Sequence, residues 1–178
     1  LPGAGPFVIA SNHTSYLDGA VLVSVLPWRR YAFVAKRELA DNFFSRVLVK
    51  GLGAVFVERF DVQRSAEHAD TLVQAARDGV SLIFFPEGTR SGGRTMGNFH
   101  GSAFRLALQE KAPIVPLCLS GNENIPRKGS KLLQPGTIHI RRLPAVRWEE
   151  YKDMTPFALK NHVREIIRRE LVAMEGAA

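Results

Sequence analysis

PFVIASNHTSYLDGAVLVSVL, residues 6–26, sets two apolar runs on either side of the polar-rich SNHTSYLD. The first run, residues 7–10, is short, with aromatic and β-branched side chains, and reads as a buried strand. The second, residues 18–26, reads as a helix that opens on an acidic residue, Asp18, where a carboxylate suits the helix dipole. SNHTSYLD is then the turn from the first strand into the first helix.

The rest of the chain repeats this alternation. Strand patterns recur at residues 31–35, 54–57, 80–85, 114–119 and 137–140. Helical patterns fall at 42–50, 64–77 and 100–110, and a long amphipathic one runs over 155–174, opened by an N-capping Thr155 and Pro156. Strand alternating with helix predicts an α/β fold: a single layered domain over residues 1–178, with a mainly parallel sheet flanked by helices. Residues 121–136, rich in Gly, Pro, Asn and Lys, read as a surface loop within that domain.

Composition narrows the function classes. The chain has 178 residues, 46% of them hydrophobic, which suffices for one sizeable core. A net charge of +7 favours an anionic partner: nucleic acid, an acidic membrane surface or a phosphorylated metabolite. Nucleic acid is disfavoured, because neither a reader motif nor a basic stripe with interleaved aromatics appears. The single cysteine, Cys118, excludes an internal disulfide and points to a reducing compartment, and Cys/His pairs at zinc-ligand spacing are absent. No apolar run approaches the roughly 20 residues that span a bilayer. The chain opens at LPGAGPFVIA without an initiator methionine, so the expectation is a soluble or peripheral domain whose upstream, membrane-associated part lies outside this sequence.

Two polar stretches interrupt the apolar pattern. His13 and Asp18 are five residues apart, and on one helix they would point roughly 140° away from each other. With His13 in the turn and Asp18 in the first helical turn, the chain folds the imidazole back onto the carboxylate. Such a pair is a general base with its orienting acid, one ring nitrogen held and the other open to a hydroxyl proton. The plainer alternative is a helix-capping Asp18 beside a satisfied turn histidine. The second stretch, FFPEGTRSGG at residues 84–93, leaves the most apolar strand and turns polar at once. Gly88 permits unusual backbone angles, Thr89 and Ser91 bring hydroxyls, and Arg90 brings a planar fork suited to phosphate. Its alternative is a surface turn in which Glu87 and Arg90 pair. No Walker or dinucleotide glycine pattern occurs, which argues against a nucleotide cofactor.

NHTSYLD followed by FPEGTRS resembles the glycerolipid acyltransferase family, the 1-acylglycerol-3-phosphate acyltransferases and their relatives, with its His-x4-Asp and Phe-Pro-Glu-Gly-Thr-Arg blocks. GAVFVERF, residues 53–60, is similar to the family's second block and puts Arg59 at its basic position; APIVPLCLSG, residues 112–121, is similar to the fourth, with Pro116. The resemblance implies transfer of a fatty acyl group from an acyl-CoA or acyl-carrier-protein thioester to the hydroxyl of a lysophospholipid, with no cofactor and no metal. His13 is then the base and Asp18 its orienting acid, and the substrate's hydroxyl stands where a serine protease has its serine, so no acyl-enzyme is expected. Arg59 and Arg90 hold the acceptor's phosphate, Gly88 and Thr89 shape the loop beneath it, and Glu87 either bonds an acceptor hydroxyl or fixes Arg90, the second being favoured because a carboxylate beside a phosphate would repel it. Asn12 and Ser15 support the turn. The EGTR form resembles the lysophosphatidate branch more than the glycerol-3-phosphate branch, while other lysolipids such as lyso-ornithine lipid, a transacylase and a hydrolase stay open. The implied partners are the two substrates, the cytoplasmic face of a membrane and an acyl-carrier protein.

Other residues carry the blander expectation. Cys118 reads as core, His100 as local structure, and Arg164, Arg168 and Arg169 as a solvated helix face. Residues 43–57 mix apolar bulk with Arg46 and Lys50, which fits core packing or a membrane interface.

Overall fold

The computed structural model describes residues 5–15, 17–26, 30–36, 55–57, 62–91, 95–122 and 135–176. Six strands form one sheet: β1 (Val8–Ser11), β2 (Tyr31–Lys36), β3 (Val55–Val57), β4 (Ser81–Phe84), β5 (Ile114–Ser120) and β6 (His139–Arg142). Their order is β3-β2-β4-β1-β5-β6, and every pairing is parallel except that of β5 with β6. The helices among these residues are α1 (Asp18–Val25), α2 (Val62–Arg77), α3 (Ser102–Glu110), α4 (Trp148–Tyr151) and α5 (Pro156–Glu175). The α/β class and the mainly parallel sheet thus agree with the sequence pattern, with boundaries shifted by up to two residues. The short α4 was not foreseen, since four residues give no helical period to read. The expected helix at 42–50 and most of the 121–136 loop lie outside the described residues.

Alternation along the strands explains the two-sided core. Val8 and Ala10 of β1 join Leu82, Phe84, Ile114 and Cys118 beneath α2, α3 and α5. Phe7 and Ile9 point the other way, with Ile83, Val115, Leu117 and Leu119, toward Leu22 of α1. With both faces covered, the inner strands read as continuous apolar runs instead of alternating ones. The edge strand β6 is different: HIRR is largely exposed, and its charges discourage pairing with another chain. Further along the chain, Thr155 accepts a hydrogen bond from the Ala158 N–H at 3.2 Å, with Pro156 behind it, as the capping pattern predicts. No helix among the described residues is long and apolar enough to cross a membrane.

This arrangement makes a crevice. β1 and β4 are neighbours, yet the helix after β1 packs on one face of the sheet and the helix after β4 on the other. Where helices diverge from the carboxyl ends of adjacent parallel strands, the loops leave a gap, which is where α/β sheets bind ligands.

Candidate active site

Both polar stretches of the sequence reach this crevice. His13 lies in the β1–α1 turn and Asp18 begins α1, and His13 Nδ1 stands 2.7 Å from Asp18 Oδ2. The carboxylate is fully buried, whereas the imidazole keeps 21% of its surface exposed. A buried charge costs several kcal/mol unless it is answered by donors, and four answer this one. Oδ2 accepts from the His13 ring and from the backbone N–H groups of Thr14 at 2.8 Å and Ser15 at 3.1 Å. Oδ1 accepts from the side-chain amide of Asn122. An ionised Asp18 fixes the proton of His13 on Nδ1, because a lone pair there would face a carboxylate lone pair. Nε2 is left as the basic nitrogen, and no protein group bonds it among the described residues.

The β4–α3 turn grips the backbone of His13 from two directions. Glu87, only 4% exposed, accepts from the His13 N–H through Oε1 at 2.8 Å and from the Gly97 N–H through Oε2 at 2.7 Å. Ser91 donates its backbone N–H to the His13 carbonyl at 2.8 Å and its hydroxyl to the same oxygen at 3.2 Å. Phe85 stacks beneath the imidazole, ring centres 4.3 Å apart and planes within 20°. Both carboxylate oxygens of Glu87 therefore tie one turn to the other, a use the sequence reading did not offer. The turn itself closes with the Gly88 N–H on the Phe85 carbonyl at 2.9 Å, and Gly88 takes φ +64°, a left-handed angle that favours glycine. Past Gly88, Thr89 and Arg90 are exposed on the outer side of the turn. Arg59 lies outside the described residues, so only one of the two candidate phosphate ligands is described.

Asn12 joins β1 to β5. Its amide donates to the Leu119 carbonyl and accepts from the Leu119 N–H, both at 2.8 Å, and so continues the ladder in place of a peptide group. Two further residues were missed. Asn122 follows Gly121 in a stretch whose composition says only "turn", and nothing in sequence separates a buried amide from a loop amide. Arg164 is a correction: instead of a solvated face, it donates through Nε to the Gly97 carbonyl at 2.8 Å and through Nη2 to the Met96 carbonyl at 2.9 Å. Arg168 and Arg169 do lie on the exposed face, both paired with Glu165, whose carboxyl they hold down to about 2. Cys118 is buried as expected; burial pushes its thiol up to about 12, so no thiolate forms near neutral pH. The backbone N–H of His100 closes on the Pro86 carbonyl at 2.7 Å.

Comparison with known proteins points to one family. The sequence model of the Acyltransferase family matches residues 1–120. The 1-acyl-sn-glycerol-3-phosphate acyltransferase alpha of Bos taurus is 32% identical over 167 residues, covering 92% of this chain and 57% of its own length. The beta form of Homo sapiens is 36% identical over 151 residues, covering 82% of this chain and 52% of its own length. The chain thus spans little more than half of these relatives. In fold, it superposes with a TM-score of 0.79 on the crystal structure of the 1-acyl-sn-glycerophosphate (LPA) acyltransferase PlsC of Thermotoga maritima, at 23% identity and covering 98% of this chain and 68% of the other. The matched span and these relatives place this chain in the acyltransferase family.

Proposed function

We propose that the domain transfers a fatty acyl group from an acyl-CoA or acyl-carrier-protein thioester to the free hydroxyl of a phosphorylated lysolipid, 1-acylglycerol 3-phosphate, in phospholipid synthesis. The observation that carries the reading is the His13 imidazole at the carboxyl end of the sheet, with Nδ1 held 2.7 Å from Asp18 and Nε2 bonded by no described residue. A neutral hydroxyl is a poor nucleophile toward a thioester until a base takes its proton. His13 Nε2 takes it as the oxygen attacks the thioester carbonyl. Asp18 stabilises the resulting imidazolium, and the thiolate leaves as the tetrahedral intermediate collapses, receiving a proton in turn. Protons balance with the protein's own groups, so the chemistry asks for no cofactor and no metal.

Thr89 and Arg90, on the outer half of the β4–α3 turn, face the solvent through which a phosphorylated headgroup arrives, and Arg59 joins them in binding it. The names of the relatives, all acting on 1-acyl-sn-glycerol 3-phosphate, support that acceptor. The net charge of +7 suits work at an anionic membrane surface, on the cytoplasmic side where acyl thioesters are made. The test is a panel of acceptors (lysophosphatidate, glycerol 3-phosphate, lysophosphatidylcholine, lyso-ornithine lipid and none) incubated with acyl-CoA, with free thiol and lipid products both measured. Thiol release that depends on lysophosphatidate and yields phosphatidate supports the reading. Equal thiol release without acceptor, with free fatty acid as product, overturns it in favour of a hydrolase.

A further inference from the structure

Asn122 is fully buried, lies just beyond the span matched by the family model, and carries no charge with which to do chemistry. Its amide nevertheless touches both sides of the catalytic turn. Nδ2 donates to Asp18 Oδ1, and Oδ1 accepts from the Thr14 hydroxyl. This orientation is the one that works, since a flipped amide would set its oxygen against the carboxylate oxygen. The backbone is shaped to deliver the group. Gly121 takes φ +91°, and a Cβ there would lie 2.2 Å from the Thr137 carbonyl oxygen, so the turn out of β5 accepts only glycine.

Accordingly, we propose that Asn122 is a positioning residue of the acyl transfer: it holds the second oxygen of Asp18 so that the first stays aimed at His13 Nδ1, and it holds Thr14 so that the turn keeps its shape. The proposal rests on His13 being the base. Without the amide, Asp18 Oδ1 loses its donor in a buried place, and the carboxylate rotates toward whatever donor remains. The imidazole then loses its fixed tautomer, although neither substrate has lost a contact.

The test uses Asn122→Leu, of similar size but apolar, and Asn122→Asp, of the same shape, with His13→Ala in parallel. For Asn122→Leu, kcat should fall about 10- to 100-fold, the range for removing an outer partner of an active group. KM for thioester and lysophosphatidate should each change less than about twofold, since the interaction lost is made to neither. The low-field proton resonance of His13 Nδ1–H, identified by its disappearance in His13→Ala, should shift or broaden. In Asn122→Asp, a second carboxylate lies against Asp18, and two such neighbours cannot both be ionised. Among the described residues, the other charged groups on the turns that hold His13 are Glu87 and, further along the same turn, Arg90, while the ends of β1 and β5 present the neutral amides of Asn12 and Asn122. The negative charge that the pair gains as its shared proton leaves favours the His13 imidazolium, so the acid limb of kcat/KM moves to higher pH. Wild-type kcat and an unmoved resonance in Asn122→Leu overturn the proposal, as does an unmoved acid limb in Asn122→Asp. If His13→Ala itself retains activity, the reading of the base fails instead, and the two failures are distinct.

Discussion

The β1–α1 turn and the β4–α3 turn meet in one crevice but are built on opposite principles. In the first, almost every polar group is committed inward: Asp18 takes four donors, Asn12 is sealed against β5, and Asn122 reaches in from the turn after β5 to bond Asp18 and Thr14. The second turn is divided at Gly88. Before it, Glu87 is buried and spends both oxygens on backbone N–H groups; after it, Thr89 and Arg90 stand in solvent. The contrast teaches how the labour is split. A base needs one tautomer and one direction, which burial and hydrogen bonds enforce. A headgroup arriving from water needs exposed groups that can meet it, and rigidity there would gain little.

The largest effects should therefore come from the inward turn. His13→Ala is expected to lower kcat on the order of 100- to 10,000-fold, with the fold retained and the Michaelis constants nearly unchanged, as steady-state assays on the folded variant will show. Asp18→Asn should cost on the order of 100-fold or more, because the amide can turn its N–H toward the ring and favour the wrong tautomer. Should that variant keep wild-type turnover, the inward turn would be a helix cap and the contrast would collapse.

The outward half should respond in KM instead. Arg90→Ala is expected to raise KM for lysophosphatidate about 10- to 100-fold, the loss of a charge-assisted hydrogen bond, while KM for the thioester barely moves. Arg90→Lys should recover little of it, because an ammonium lacks the planar fork. Kinetics with each substrate varied in turn decide this, and equal losses for both substrates would make Arg90 a structural residue. The smallest effect belongs to Arg164, which reaches His13 only through Gly97 and Glu87. Arg164→Met should lower kcat about fivefold, roughly 1 kcal/mol. Combined with Glu87→Gln, it should add less than its separate effect, since both act through one chain of hydrogen bonds.

How much of this could be read from sequence follows from the range of each interaction. The fold was legible because strand and helix periods are local: both long helices and five of the six strands among the described residues announced themselves in apolar spacing, while the exposed β6 was placed two residues early. The His13–Asp18 pair was legible because its two members are five residues apart on one turn. Glu87 was seen as important but not for what it does, because its partners are the main chain of residue 13, 74 positions away, and of residue 97. Backbone N–H groups have no letter in a sequence. Asn122 and Arg164 stayed hidden for the same reason, since their roles depend on sheet order: β5 must lie beside β1 before Asn122 can reach Asp18.

The central claim is that His13 acts on the acceptor's hydroxyl directly, with no acylated residue between donor and product. Rapid mixing of the enzyme with a radiolabelled acyl thioester, with lysophosphatidate left out, tests this most directly. Direct attack by the acceptor gives no burst of free thiol and no label on the denatured protein, then thiol release and phosphatidate formation at one common rate when the acceptor is added. A thiol burst equal in amount to the enzyme, with label retained on the chain, would contradict it.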